Sequence, residues 1–185
     1  ESKVRQTLQD PRSIALGERS QMESMTLLKN QENTLPLAIG QLKVYIENMD
    51  STTVANYATV VATPEEADFA IIRLNTPWSP AEMQNPFAFA LSFHHGDLDF
   101  KGEDKARVLD LLRTVPTIVN IYLDRPAVIP DIAKEAHAVI ADYGASDKSA
   151  CEVLFGNSSP KGKLPFELPS SMEAVENQLT DVPYD

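Results

Sequence analysis

Cysteine occurs once in these 185 residues, at Cys151. A lone thiol excludes an intramolecular disulfide and a cysteine-built zinc site, and it leaves the redox compartment unread. Cys151 is expected as a small apolar core residue. Cations are also scarce: 16 Lys and Arg stand against 27 Asp and Glu, for a net charge of -11. Phosphate neutralisation needs clustered Lys and Arg, so no nucleic-acid partner is expected. No apolar run approaches the roughly 20 residues of a membrane span, and no basic-then-apolar leader opens the chain. The expectation is a soluble chain without a membrane partner. Its compartment is left open, with a periplasmic or extracellular bacterial location among those admitted. There is no Gly-x-Ser-x-Gly elbow, no Gly-rich phosphate loop and no dinucleotide fingerprint, and no cofactor is expected. Repeats and low-complexity segments are missing too.

The chain is long enough to bury a substantial core. It opens on Glu1 rather than Met, so residues 1–10 are expected to be a linker from an upstream domain, with residues 11–185 forming one domain. The final stretch, 164–185, carries Glu167, Glu173, Glu176, Asp181 and Asp185 with no Lys or Arg, which suits a solvated acidic tail.

Asp10-Pro11 starts a helix, with Asp10 capping free N–H groups and Pro11 at the first helical position. Ile14, Met22, Met25 and Leu28 fall on roughly one face, so the helix is expected to run to about Asn30. Strands are expected at Lys43–Glu47, Tyr57–Ala62, Phe69–Asn75, Thr117–Leu123 and Ala138–Tyr143. Helices are expected at Glu103–Thr114, Ile129–Ala136, Ser146–Phe155 with Gly156 as its C-cap, and Ser170–Gln178. Leu164–Pro169, punctuated by prolines, reads as an edge strand. Strands alternating with helices give an α/β fold: a three-layer sandwich with a mainly parallel, flavodoxin-like sheet.

The most informative stretch is Phe69–Asn75 with the loop after it, Thr76 to Phe100. The strand is almost continuously apolar, as a strand covered on both faces should be. The loop is too long and polar for an ordinary connection. Ligands gather beyond the carboxyl ends of parallel strands. Asn75 and this loop, Asp124-Arg125, and Tyr143-Gly144-Ala145 should therefore share one edge.

Candidate residues cluster there. Neighbouring His94 and His95 do not converge as metal ligands spaced three or four apart on a helix do, so no metal is expected. Either histidine could bond a hydroxylated ligand or pack locally. Arg125 could bind a ligand through its fork or close a local ion pair. Trp78, between Pro77 and Pro80, could stack on a sugar ring, seal a domain interface or pack in the core. Glycoside hydrolysis needs two carboxyl groups about 5–5.5 Å apart in retaining enzymes. Glu82, Asp97, Asp99 and Glu103 are carboxyls in or beside the loop.

Several segments in order resemble the C-terminal α/β-sandwich domain of glycoside hydrolase family 3, the β-glucosidase-like enzymes. Ser24-Met25-Thr26-Leu27-Leu28-Lys29-Asn30 with Leu35-Pro36-Leu37 is similar to S-x-V-L-L-K-N followed by L-P-L. Ala67-Asp68-Phe69-Ala70-Ile71-Ile72 matches the family's A-D-x-A-I-V strand. Glu152-Val153-Leu154-Phe155-Gly156 and Pro160-Lys161-Gly162-Lys163-Leu164-Pro165 match D-V-L-F-G and P-x-G-[RK]-L-P. The stretches 96–100, 123–127 and 167–172 with 181–183 resemble a bacterial branch. The resemblance implies a retaining β-glycosidase in which a preceding TIM-like barrel carries the aspartate nucleophile and the sandwich forms one wall of a carbohydrate site. It also implies a general acid/base glutamate in the loop after the A-D-x-A-I-V strand, within G-E followed by D-R and L-x-L-P. Here the loop has Pro80-Ala81-Glu82 without the glycine, and His95-Gly96-Asp97 with Leu98-Asp99-Phe100 further on. Glu82 is the first positional candidate and Asp97 the second, and the family's N-G-x-P is replaced by Asp124-Arg125-Pro126. The alternative is a non-catalytic carbohydrate-binding or interaction domain.

Overall fold

The computed structural model describes residues 2–80, 94–180 and 182. Its six strands are β1 (Thr26–Asn30), β2 (Lys43–Glu47), β3 (Thr59–Val60), β4 (Phe69–Asn75), β5 (Thr117–Tyr122) and β6 (Ala138–Asp142). They form one sheet in the order β1-β6-β5-β4-β2-β3. All neighbours run parallel except β1, which is antiparallel to β6. Five parallel strands in this order have the flavodoxin-like winding, with one antiparallel strand added at the far edge.

Alternation along the strands sorts the core into two halves. Ile71, Ile118 and Ile140 point to one face, where Val54, Cys151 and Leu154 cover them. Ile72, Val119 and Val139 point to the other and meet Val108, Leu111, Leu112 and Ile132. The first face is covered by α2 (Pro11–Ser24), α3 (Ser51–Val54) and α6 (Asp147–Leu154), the second by α4 (Gly102–Thr114) and α5 (Pro130–Glu135). The result is the expected three-layer sandwich. Cys151 is fully buried in the first half, and burial pushes its thiol up to about 12.

Several local expectations hold. The Asp10 side chain accepts from Arg12 N at 2.9 Å, and Pro11 opens α2. Gly156, at φ +81°, ends α6 and donates to Val153 O at 3.2 Å.

Three expectations are corrected. The first helix stops at Ser24, and Thr26–Asn30 is a strand rather than its last turn. Leu27-Leu28 suits either state, and the open edge of β6 decides: Thr26 pairs with Ala141, and Asn30 with Ala138. Ile14, which shares a helical face with Met22, is 49% exposed. The strand expected at 57–62 shrinks to Thr59–Val60. Ahead of it Asp50 caps the short α3 through the N–H groups of Thr52 and Thr53. Finally, Leu164–Pro169 joins no sheet. Pro165 and Pro169 offer no N–H for a ladder, and Leu164, Phe166 and Leu168 instead pack against the second half of the core. The last helix, α7, is Met172–Asn177, capped by Ser171; an N-terminal helix, α1, spans Ser2–Leu8.

The carboxyl ends of the strands are tied together by a buried charge cluster. Asp142 is fully buried. One of its oxygens accepts from Arg73 at 2.9 Å and Asn120 at 2.8 Å; the other accepts from the N–H groups of Gly144 and Ala145. Arg73 also donates to Asp147 at 2.6 Å and to Ala145 O at 2.9 Å. Four donors to one carboxylate offset the cost of removing it from water.

Truncating a central side chain should cost far more than truncating the exposed helix. Ile118→Ala is expected to lower the unfolding free energy by about 2–5 kcal/mol, and Ile14→Ala by less than about 0.5 kcal/mol, in urea titrations of the two variants. Equal shifts would contradict this assignment of the core.

Candidate functional site at the carboxyl edge of the sheet

At this edge the chain winds in opposite senses from adjacent strands. After β2 it enters α3 on one face; after β4 the next described helix, α4, lies on the other. The crevice between them is the topological switch point where ligands bind in open α/β sheets. Among the described residues, Arg107 of α4 donates across it to Glu47 at 2.5 Å, and Asn48 donates to Arg73 O at 2.8 Å. A groove of about 540 Å³ opens beside it, lined by Asn75, Trp78, Asp97, Phe100, Lys101 and Arg107 among others.

The three loops expected to share this edge do so. Thr76 Oγ1 donates to Tyr122 O at 2.8 Å, and Leu123 N donates to Asp142 O at 2.9 Å. The loop after β4 has its outgoing leg, Thr76–Pro80, stitched to its returning leg, 94–100. Ser79 N donates to His95 O at 3.0 Å, and the His95 ring nitrogen Nδ1 lies 3.2 Å from Ser79 O. Gly96 sits at φ +91°, where a Cβ would stand 2.9 Å from Ser79 N. Only glycine allows both that dihedral and that approach. Beyond it, Val128 N donates to Leu98 O at 2.9 Å, and Asp99 bridges to Val128.

The expected site residues divide. Arg125 turns its guanidinium onto the loop's main chain. Nη1 donates to His94 O and to Gly96 O, the latter at 3.1 Å, and Nη2 to Pro77 O and to Asp97 O at 3.0 Å, with His95 O at 3.5 Å. Next to it, Asp124 lies 2.9 Å from His94 Nε2. His94 itself is held at φ +62°, a conformation uncommon outside glycine. Trp78 is 57% exposed, so its indole is not core. Asp97 is exposed and bonded by Lys101, whose ammonium holds the carboxyl below its ordinary range. A carboxyl held ionised is poorly suited to donate a proton near neutrality. The second carboxyl beside it, Asp99, keeps Oδ1 3.5 Å from Lys101 Nζ. Glu82 lies outside the described residues. Among the described residues no group of three or more His, Cys, Asp or Glu is placed to hold a metal ion. No helix among them is long and apolar enough to cross a membrane.

Sequence reasoning missed the neck of this loop. Its partners are main-chain carbonyls, which carry no sequence signal; Gly96, the only glycine between Pro77 and Phe100, was the one available hint.

The profile of the glycosyl hydrolase family 3 C-terminal domain matches residues 47–184. The chain belongs to that family. Its relatives carry names that agree. It is 48% identical over 175 residues to a probable β-glucosidase C of Aspergillus flavus, covering 93% of this chain and 27% of that protein. It is 47% identical to β-glucosidase C of Emericella nidulans, over 93% of this chain and 28% of the relative. A periplasmic β-glucosidase/β-xylosidase of Dickeya chrysanthemi is 36% identical over 92% of this chain and 26% of its own length. The chain thus spans about a quarter of the length of the relatives it matches, and these include fungi as well as a bacterium. Among solved structures, the β-glucosidase of Listeria innocua bound to glucose superposes with a TM-score of 0.69 at 17% identity, over 91% of this chain and 28% of that one. That likeness speaks for the family 3 sandwich fold.

The Lys101–Asp97 pair can be tested by titration. Because the ammonium holds Asp97 low, Lys101→Ala should move the Asp97 midpoint upward, toward the ordinary value of about 3.9, in a carboxyl-carbon NMR titration. An unmoved midpoint would contradict the contact.

Proposed function

We propose that this chain is the C-terminal domain of a retaining β-glycosidase, β-glucosidase-like in its reaction, that cleaves O-glycosidic bonds of carbohydrate substrates. In this reading an N-terminal TIM-like barrel of the same parent protein supplies the aspartate nucleophile, and the sandwich forms one wall of the active site. Residues 1–10 link the two. The observation that carries the proposal is the family 3 match across residues 47–184, together with identities near one half to β-glucosidases C. A periplasmic or extracellular location is favoured by the name of the Dickeya relative.

Retaining hydrolysis proceeds through a glycosyl-enzyme and needs a second carboxyl group that first protonates the leaving oxygen and then deprotonates water. We assign that role to Glu82. Support is positional: Glu82 follows the A-D-x-A-I-V strand, in the loop where the family keeps its acid/base. Asp97 fits the role less well because Lys101 keeps it ionised. Exposure of Trp78 beside the groove supports a stacking role against a sugar face, and His94 and His95 flank the same loop as hydrogen-bonding candidates.

Two measurements test the reading. The isolated 185-residue chain should not hydrolyse aryl β-glucosides, because half of the carboxyl pair is missing; robust turnover would overturn it. In the full parent protein, Glu82→Gln should lower kcat/KM by on the order of 10²–10⁴-fold for alkyl glucosides, whose leaving groups need protonation, and much less for 2,4-dinitrophenyl glucoside. Equal losses for both would remove Glu82 from the role.

A further inference from the structure

We infer that Arg125 is a positioning residue: by gripping main-chain carbonyls on both legs of the loop after β4, it fixes the neck of the loop to which the proposed proton donor belongs. The inference rests on the β-glycosidase reading above.

The geometry has three parts. First, the grip is two-sided. Pro77 O belongs to the outgoing leg, and the carbonyls of His94, Gly96 and Asp97 belong to the returning leg, yet one guanidinium donates to all four. A planar fork with five N–H groups can span two segments in this way, whereas an ammonium presents three donors from a single point. Second, the returning leg is shaped to receive it. Carbonyls of neighbouring residues converge on one cation because His94 and Gly96 take φ values of +62° and +91°. An uncommon dihedral persists only where surrounding contacts over-determine it, and here the Asp124 carboxylate holds the His94 ring while Ser79 packs on Gly96. Third, the grip is referenced to the sheet. Arg125 follows β5 by three residues, Leu123 N is bonded to Asp142 O at 2.9 Å, and Thr76 Oγ1 is bonded to Tyr122 O at 2.8 Å.

The side chain is thereby committed to the loop rather than to a ligand. Its effect on catalysis acts through placement of the neck, and a misplacement of about 1 Å in a reacting group can cost on the order of 10²-fold in rate.

The test uses the full parent protein and its Arg125→Ala variant, with Glu82→Gln alongside. The expected result is a loss of about 10²-fold in kcat/KM for an alkyl β-glucoside, with less than about fivefold for 2,4-dinitrophenyl β-glucoside. Faster amide exchange at Ser79 N–H and partial recovery in millimolar guanidinium should accompany it. Arg125→Lys should recover less than added guanidinium does. Gly96→Ala, which keeps the Arg125 side chain but drives Ser79 off the returning leg, should give the same leaving-group pattern. Losses that are equal for both substrates, or Ser79 exchange that does not change, would overturn the inference. So would a variant in which Cys151 becomes reactive to thiol reagents, since that would show Arg125 holding the whole fold instead. If Glu82→Gln lacks the leaving-group pattern, the assignment of the donor fails, while Ser79 exchange still judges the grip on its own.

Discussion

Asp142 is a charge taken wholly out of water, and the carboxyl edge of the sheet is organised by what that demands. Its two oxygens draw in Arg73 from β4, Asn120 from β5 and the turn that leads into α6. Removing one partner of such a cluster leaves an uncompensated buried charge, at a cost of about 3–5 kcal/mol. The cluster therefore fixes how β4, β5 and β6 end relative to one another. Arg125 and the loop after β4 depend on that edge being rigid. One guanidinium, Arg73, is held by carboxylates inside the sandwich; the other, Arg125, is held by carbonyls at its rim.

Strand-to-loop geometry then follows from the winding. Because adjacent strands send the chain to opposite faces, the crevice between β2 and β4 is not crossed by their own connections, and among the described residues it is bridged by side chains such as Arg107, Glu47 and Asn48. The loop after β4 rises beside this crevice with its legs stitched together. Such a neck gives the loop a fixed base on a packed scaffold.

Much of this architecture was legible in the sequence because its signals are local. The run Phe69–Asn75, bounded by acidic turn residues and Pro77, gave its strand to the residue, and Asp10-Pro11 gave the start of α2. What was not legible is non-local. Leu27-Leu28 reads as helix until β6 offers an unpaired edge, and Leu164–Pro169 reads as strand until its prolines meet a core that takes only the alternate side chains. The site was half legible in the same sense. Asp124-Arg125 could be placed at a strand end, yet nothing in the side-chain sequence says that the guanidinium reaches carbonyls 28 to 48 residues away. Family likeness pointed to the loop, and physical contacts separate Arg125, bonded to main-chain carbonyls, from Asp97, whose carboxylate is bonded by Lys101.

A proton donor carried by this loop should be found by a β-glucosylamine bearing a bromoacetyl group on nitrogen, whose nitrogen replaces the leaving oxygen and whose alkylating carbon lies two bonds beyond it. Peptide mapping of the inactivated parent protein should find the label on Glu82. A label on Asp97, or on a carboxylate outside the loop, would rule Glu82 out as the donor.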